Sequence, residues 1–183
     1  MSYPVHTIES APEGAKETLA AARKGYGFVP NLLAVMAEAP ALVKGYTALS
    51  RIFDETSFSA AERQIVLLTT SIENGCDYCV AAHSVIAGMQ KVPDEVVQAI
   101  RNGTQIENTK LEALRSFTSA VVIKRGWPTE QDAAAFHAAG YSPRQALEVV
   151  LGVGLKTLSN YMNHIAETPL DQAFAKAEWS KAA

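Results

Sequence analysis

Apolar residues along this chain recur at spacings of three and four, and nowhere do several β-branched strands alternate with hairpin turns. The pattern predicts an all-α protein. Its clearest helix starts near Pro143 and runs to about Glu167. There Leu147, Val150, Leu151, Gly154, Leu155, Leu158, Tyr161, Met162 and Ile165 fall on one stripe, expected to be buried. Gly152 and Gly154 each cost about 1 kcal/mol of helix propensity. Close approach of another helix, in preference to a ligand, is the expected compensation.

A second long helix, "SAAERQIVLLTTSIENG", stops at Asn74-Gly75, a pair suited to a left-handed turn. "CDYCVAAHSVIAGM" then resumes helical spacing, with Asn74 placed to cap it and Asp77 near its positive end. Other starts carry their own signals. Ser59 with Glu62 and Thr109 with Glu112 read as capping boxes, Thr129 precedes "EQDAAAFHAAG", and Pro93 and Pro143 suit a first helical position, the latter after Ser142 as N-cap. Upstream, "GYGFVPNLLAVMAEAPALVKGYTALSRIF" reads as a loop, a short helix ending before Pro40 and a further helix. A faint likeness between 59–83 and 142–166 suggests a decayed helix-pair repeat, with Ser159 and Met162 where the second copy would carry cysteines. No linker divides the chain, so one domain over residues 1–183 is expected.

Composition narrows the function classes. The 183 residues are 48% hydrophobic and 19% charged, which suits one well-filled core. A net charge of −3 argues against nucleic acid and anionic membrane as partners, since phosphate binding needs clustered Lys and Arg. The apolar runs are far shorter than the roughly 18 residues of a membrane span. "MSYPVHTIES" lacks the basic and apolar regions of a secretory signal, so a cytoplasmic protein is expected. Two cysteines in a reducing compartment suggest transient redox chemistry, a metal or burial rather than a permanent staple.

Both cysteines lie in "ENGCDYCVAAH", Glu73 to His83. At roughly 100° per residue, His83 projects between the directions of Cys76 and Cys79, one turn beyond the second. It is placed to accept a thiol proton or, as imidazolium, to stabilise a thiolate. A cysteine of pKa about 8.5 is only about 3% thiolate at pH 7, and a two-unit drop needs roughly 2.7 kcal/mol. A helix N-terminus plus a histidine can supply that. The pair is also close enough in sequence to close a disulfide. Glu73, three residues before Cys76, and Glu62 are the carboxylates available to orient His83, with Glu73 favoured by proximity.

Two other readings of the same residues stay open. The cysteines can be small core hydrophobes, though Asp77 and His83 fit an apolar core poorly. Zinc can take Cys76, Cys79 and His83, but a structural site wants four ligands and no second pair appears. The remaining histidines read as surface residues for His6 and His137, and as a satisfied boundary residue for His164.

Taken together, the cysteine spacing, the histidine four residues after the second cysteine, the preceding Asn-Gly and the all-helical chain resemble the CxxCxxxH signature of the alkylhydroperoxidase D (AhpD)-like family, within the carboxymuconolactone decarboxylase superfamily. "GFVPNLL" and "NYMNHIAETPLD" extend the resemblance, to peroxidase-related members, over most of the chain. It implies an AhpD-like helical bundle with its CxxCxxxH core at about 59–90, assembled as a homotrimer or homohexamer. The implied activity is thiol-dependent reduction of alkyl hydroperoxides. Disulfide reduction on the same dithiol, or a non-catalytic oligomerisation or metal-binding module, are the alternatives. By analogy Cys79 attacks the peroxide, Cys76 resolves and His83 belongs to a proton relay. An external dithiol, thioredoxin-like or lipoyl-bearing, restores the pair, with no cofactor or metal. Local physics pulls the other way on the nucleophile, since Cys76 lies nearer the helix terminus.

One departure matters. The family's best-known pattern has a glutamate twelve positions before the first cysteine, where this chain has Gln64. Gln64 is no base, so Glu73, matching an ExxC variant of related members, is expected to take the carboxylate's role. Decarboxylase members typically lack the cysteine pair, so the superfamily's name does not describe this chain's reaction.

Overall fold

A computed structural model describes residues 3–180. Among them there are helices and no strands: α1 Glu13–Tyr26, α2 Asn31–Met36, α3 Pro40–Asp54, α4 Ala60–Glu73, α5 Asp77–Met89, α6 Asp94–Arg101, α7 Thr109–Ile123, α8 Glu130–Ala138 and α9 Pro143–Ala166, then a 3₁₀ turn, Gln172–Ala177. None of these helices is long and apolar enough to cross a membrane.

The bundle is organised around α4, which packs against α5, α6, α7 and α9. Its residues from Gln64 to Ser71 are all buried, which is the signature of a helix enclosed on every side. Thr70 and Ser71 tolerate this because each hydroxyl donates to the carbonyl four residues back, Val66 and Leu67. One apolar cluster joins α4 to α6, α7, α8 and α9 through Val66, Leu68, Val97, Leu114 and Phe136. A second gathers α1, α2 and α5 around Leu19, Leu33 and Met36, and it contains both cysteines.

Caps follow the sequence in most places. Ser59 with Glu62 and Ser142 with Gln145 form reciprocal capping boxes, and Thr129 forms one with Asp132. The box expected at Thr109 is displaced: Asn108 is the cap, accepting from Lys110 and Leu111 N–H, while Glu112 reaches back to Ile106 N–H. Pro93 likewise precedes the first helical residue rather than occupying it.

The stop at Asn74-Gly75 is a Schellman turn. Gly75 takes φ +66° and donates to Ile72 O, and Cys76 N–H donates to Ser71 O at 2.9 Å. Asn74 does not cap α5, because its amide donates across to Asn160 Oδ1 at 2.9 Å on α9. Cys76 itself occupies the N-cap position.

Helix α9 reverses the expectation for its apolar stripe. Of the nine stripe residues only Leu155 is buried, and Leu147, Val150, Tyr161 and Ile165 are more than half exposed. The buried face carries Val149, Gly152, Lys156, Ser159, Asn160 and Asn163. Gly152 explains how this polar face seats: a Cβ there would lie 2.7 Å from Phe53 of α3 and 2.7 Å from Val66 of α4. Gly154, expected to mark a second close approach, faces open space. Because α9 runs unbroken where 59–83 breaks at Gly75, the decayed repeat has no structural counterpart.

His6 also departs from its expected surface role, since its Nε2 lies 2.8 Å from Glu38 Oε2 with the ring 11% exposed. The C-terminal segment is tied down as well. Asp171 accepts from Asn31 N–H at the start of α2 and from the Tyr78 hydroxyl, and Arg101 donates to Ala177 and Glu178 carbonyls.

The two glycines of α9 therefore have opposite sensitivities. Gly152→Ala is expected to cost about 1–3 kcal/mol through overpacking, and Gly154→Ala to gain up to about 1 kcal/mol. Urea unfolding of the two variants checks both signs.

Candidate functional site

The Schellman turn fixes where the dithiol sits. It ends α4, reverses the chain and starts α5 at Cys76, so Cys79 follows one turn later against α9. Both cysteines are buried, unbridged and 3.3 Å apart. From α9, Asn163 Nδ2 donates to Cys79 Sγ at 3.2 Å and lies 3.7 Å from Cys76 Sγ, while Ser159 Oγ is 3.9 Å from Cys79 Sγ. Lys156, only 1% exposed, lies beside Cys79 on the same face. It makes no ion pair with a carboxylate among the described residues.

These contacts split the two thiols. Cys76 is pushed up, first because it donates its hydrogen to Cys79 and then by burial. Burial pushes Cys79 the same way, but the Cys76 hydrogen bond and the Lys156 charge outweigh it and hold Cys79 well below the ordinary thiol range. Burial pushes the Lys156 ammonium down, but the charge of Cys79 outweighs it and holds Lys156 above the ordinary lysine range. These directions favour a Cys79 thiolate beside a Cys76 thiol and a Lys156 ammonium.

Cys79 faces a cavity of about 120 Å³, together with Lys156, Gln64, His83, Tyr46 and Phe174. The volume is less than the ~150 Å³ apolar cavity that accepts benzene, so it suits a small ligand. Cys76 is set behind Cys79 and does not line it.

His83 reaches this cavity but is not held by a carboxylate. Gln64 Nε2 donates to Gln90 Oε1 at 3.1 Å, so Gln64 Oε1 accepts from His83 Nδ1 at 2.9 Å. That assignment puts the imidazole proton on Nδ1 and leaves Nε2 an acceptor. Burial, then the Lys156 charge, hold His83 well below its ordinary pKa, so the ring is neutral.

Glu73 is not brought to this group. It accepts from Ser119 Oγ at 2.6 Å on α7 and does not line the cavity. As the last residue of α4, on the side facing α7, it is separated from the cavity by the turn that positions Cys76. Glu62 is spent on the Ser59 cap. His164 and His137 are exposed. No three His, Cys, Asp or Glu residues among those described converge as a metal would need.

Residues 37–118 match the family model of the carboxymuconolactone decarboxylase family. The fold superposes on the alkylhydroperoxidase AhpD core, a peroxidase-related protein from Ralstonia eutropha JMP134, with TM-score 0.83 and 22% identity over 94% of this chain and 93% of that one. The fold is AhpD-like. A peroxidase-related protein from Silicibacter sp. TM1040 is also similar, with TM-score 0.80 and 16% identity over 95% and 92% of the chains. So is a debrominase solved with 2,3,4-tribromopyrrole, with TM-score 0.80 and 17% identity over 97% and 95%. No curated protein matches the chain.

Within this AhpD-like fold the residues near the dithiol that sequence reasoning missed are Lys156, Asn160 and Asn163. The signal was present. Gly152, Lys156, Ser159, Asn160 and Asn163 form their own stripe at helical spacing, and the glycine that demands close approach lies on it.

The neutral imidazole makes a pH prediction. The unfolded chain binds a proton at His83 near pH 6.5, and the folded protein only at lower pH. The unfolded state thus binds more protons, and stability falls below about pH 6.5 by at most ~1.4 kcal/mol per unit. His83→Gln is expected to flatten this part of the urea-midpoint profile. An unchanged slope would mean that the ring is charged in the fold.

Proposed function

We propose that the protein reduces small alkyl hydroperoxides with the Cys76/Cys79 dithiol. The observation that carries this reading is a buried cysteine on a cavity wall that Lys156 also lines, with a second cysteine 3.3 Å away. Cys79 S⁻ attacks the terminal peroxide oxygen, the O–O bond breaks, and the alkoxide leaves and takes a proton to become an alcohol. Cys79 is then a sulfenic acid. Cys76 attacks it, the S–O bond breaks, and the Cys76 proton leaves with the hydroxyl as water. An external dithiol, thioredoxin-like or lipoyl-bearing, reduces the resulting disulfide by exchange and is itself oxidised.

The assignment of attack to Cys79 is supported by the cavity, which Cys79 lines, and by the charge beside it. Nearness to the helix terminus favours Cys76, but that sulfur donates its hydrogen to Cys79 and does not line the cavity. His83, with an unprotonated Nε2 on the cavity wall, would relay the Cys76 proton to the departing hydroxyl, and Gln64 holds its tautomer. Glu73 enters as a structural partner of Ser119.

The reading extends to a homotrimer or homohexamer in the cytoplasm. The exposed apolar residues of α9, Leu147, Val150, Tyr161 and Ile165, support self-association.

Cys79→Ser is expected to lower tert-butyl hydroperoxide turnover by roughly two orders of magnitude or more in a coupled dithiol assay. Cys76→Ser is expected to react once and gain one oxygen by mass. Wild-type turnover by Cys79→Ser would remove the peroxidase reading. Faster turnover of a small dialkyl disulfide than of the hydroperoxide would make the protein a disulfide reductase.

A further inference from the structure

The resting dithiol is one proton short of the reaction it performs. Reducing ROOH to ROH and water takes two electrons and two protons. The two sulfurs supply both electrons, but with Cys79 as thiolate they carry one proton, on Cys76. His83 cannot supply the other, because its single proton is committed to Gln64 Oε1. Of the other proton-bearing groups on the cavity wall, the Tyr78 hydroxyl donates to Asp171 and burial holds the proton on Tyr46, which leaves Lys156, beside Cys79.

Its surroundings also change in the right direction during the reaction. Lys156 is 1% exposed, and its compensating charge is the Cys79 thiolate. Once the disulfide forms, both sulfurs are neutral and the ammonium is buried without an anion, a situation that a lysine relieves by losing a proton. The other groups around α9 do not substitute for the thiolate. Tyr46 of α3 is a neutral phenol, raised by burial, and His83 of α5 is neutral. α4 presents the uncharged Gln64, and α2 has no titratable side chain. Glu112 of α7 is held by Arg115, Asp54 at the cavity edge pairs with Arg63 at 3.6 Å, and Glu148 of α9 pairs with Arg144.

We infer that Lys156 is a catalytic residue, the acid that delivers the second proton to the departing oxygen, and that Gln64 is uncharged so that the ammonium stays paired with Cys79. The inference rests on the dithiol reading above. The cycle balances: thiolate, thiol and ammonium plus ROOH give disulfide, neutral amine, ROH and water. The external dithiol then returns two hydrogens to the sulfurs, and the Cys79 proton passes to the amine.

A proton count tests this without depending on peroxidase activity. Diamide also takes two electrons and two protons, so one equivalent is added to the reduced protein in weak buffer near neutral pH with an indicator dye. Wild type is expected to take up no proton from solution per disulfide formed. Lys156→Arg, whose charge stays fixed, is expected to take up one. Uptake of one proton by wild type would overturn the proposal, whatever the variants do. In parallel, iodoacetamide labelling of Cys79 is followed against pH by peptide mass. Lys156→Met is expected to move the midpoint up by a unit or more, cutting labelling near pH 7 by about tenfold or more. Gln64→Glu, which offers the ammonium a second anion, is expected to move it in the same direction. An unmoved midpoint in Lys156→Met would equally overturn the pairing. Failure of hydroperoxide turnover with these results intact would sink the peroxidase reading alone.

Discussion

A lysine ammonium with almost no exposure sets the terms for the rest of this molecule. Burying such a charge costs several kcal/mol unless an anion and hydrogen bonds replace the lost water. Among the described residues Lys156 has no carboxylate partner, and the neighbouring anion is a sulfur on α5. This single pairing explains why α9 buries its polar face. Turning the Leu147, Val150, Tyr161 and Ile165 stripe inward would satisfy hydrophobic burial but expel Lys156, Asn160 and Asn163 from the dithiol. Gly152 makes the chosen rotation possible, since any side chain there would strike Phe53 and Val66.

The second requirement is that the sulfurs be presented to α9 rigidly. A Schellman turn and an N-cap at adjacent residues leave little freedom between α4 and α5, and the Asn74–Asn160 bond ties the turn to α9. The far wall of the cavity is held from another direction. Asp171 accepts from the N-terminus of α2 and from Tyr78, one residue before Cys79, and Phe174 packs edge-on to Tyr78 and Phe28. Segments distant in sequence thus meet at a small cavity through backbone caps, which are less tolerant of drift than side-chain packing alone.

Much of this was legible in the sequence, and the misses share one cause. Helix content, most caps and the stop at Asn74-Gly75 are local properties, written in residues within one turn of each other, and they emerge as read. The cysteine pair and His83 stand out because their spacing is itself chemistry, and the fold brings Cys79 and His83 to one cavity. What failed was the choice of buried face for α9. Apolar periodicity assumes that water lies on the polar side, and here the polar side meets a charged site. Glu73 failed for a related reason: closeness to Cys76 along the chain was taken for closeness in space, whereas the turn between them sends the two side chains to different helices. Gln64, noted only as an absent base, is the residue that contacts His83.

The exchange of a carboxylate for Gln64 is best understood as a matter of charge balance. A glutamate at this position would hydrogen-bond the same imidazole nitrogen, but as an anion it would raise the ring's pKa and compete with Cys79 for Lys156. With an amide, His83 keeps its tautomer and stays neutral, and one cation faces one thiolate. The site is then electroneutral at rest without any carboxylate. In the proposed cycle the sulfur is activated by a cation that favours the thiolate, with no base needed to remove its proton. The nucleophile of that cycle is ready before the hydroperoxide arrives, and the proton it needs is stored on the group that stabilises it.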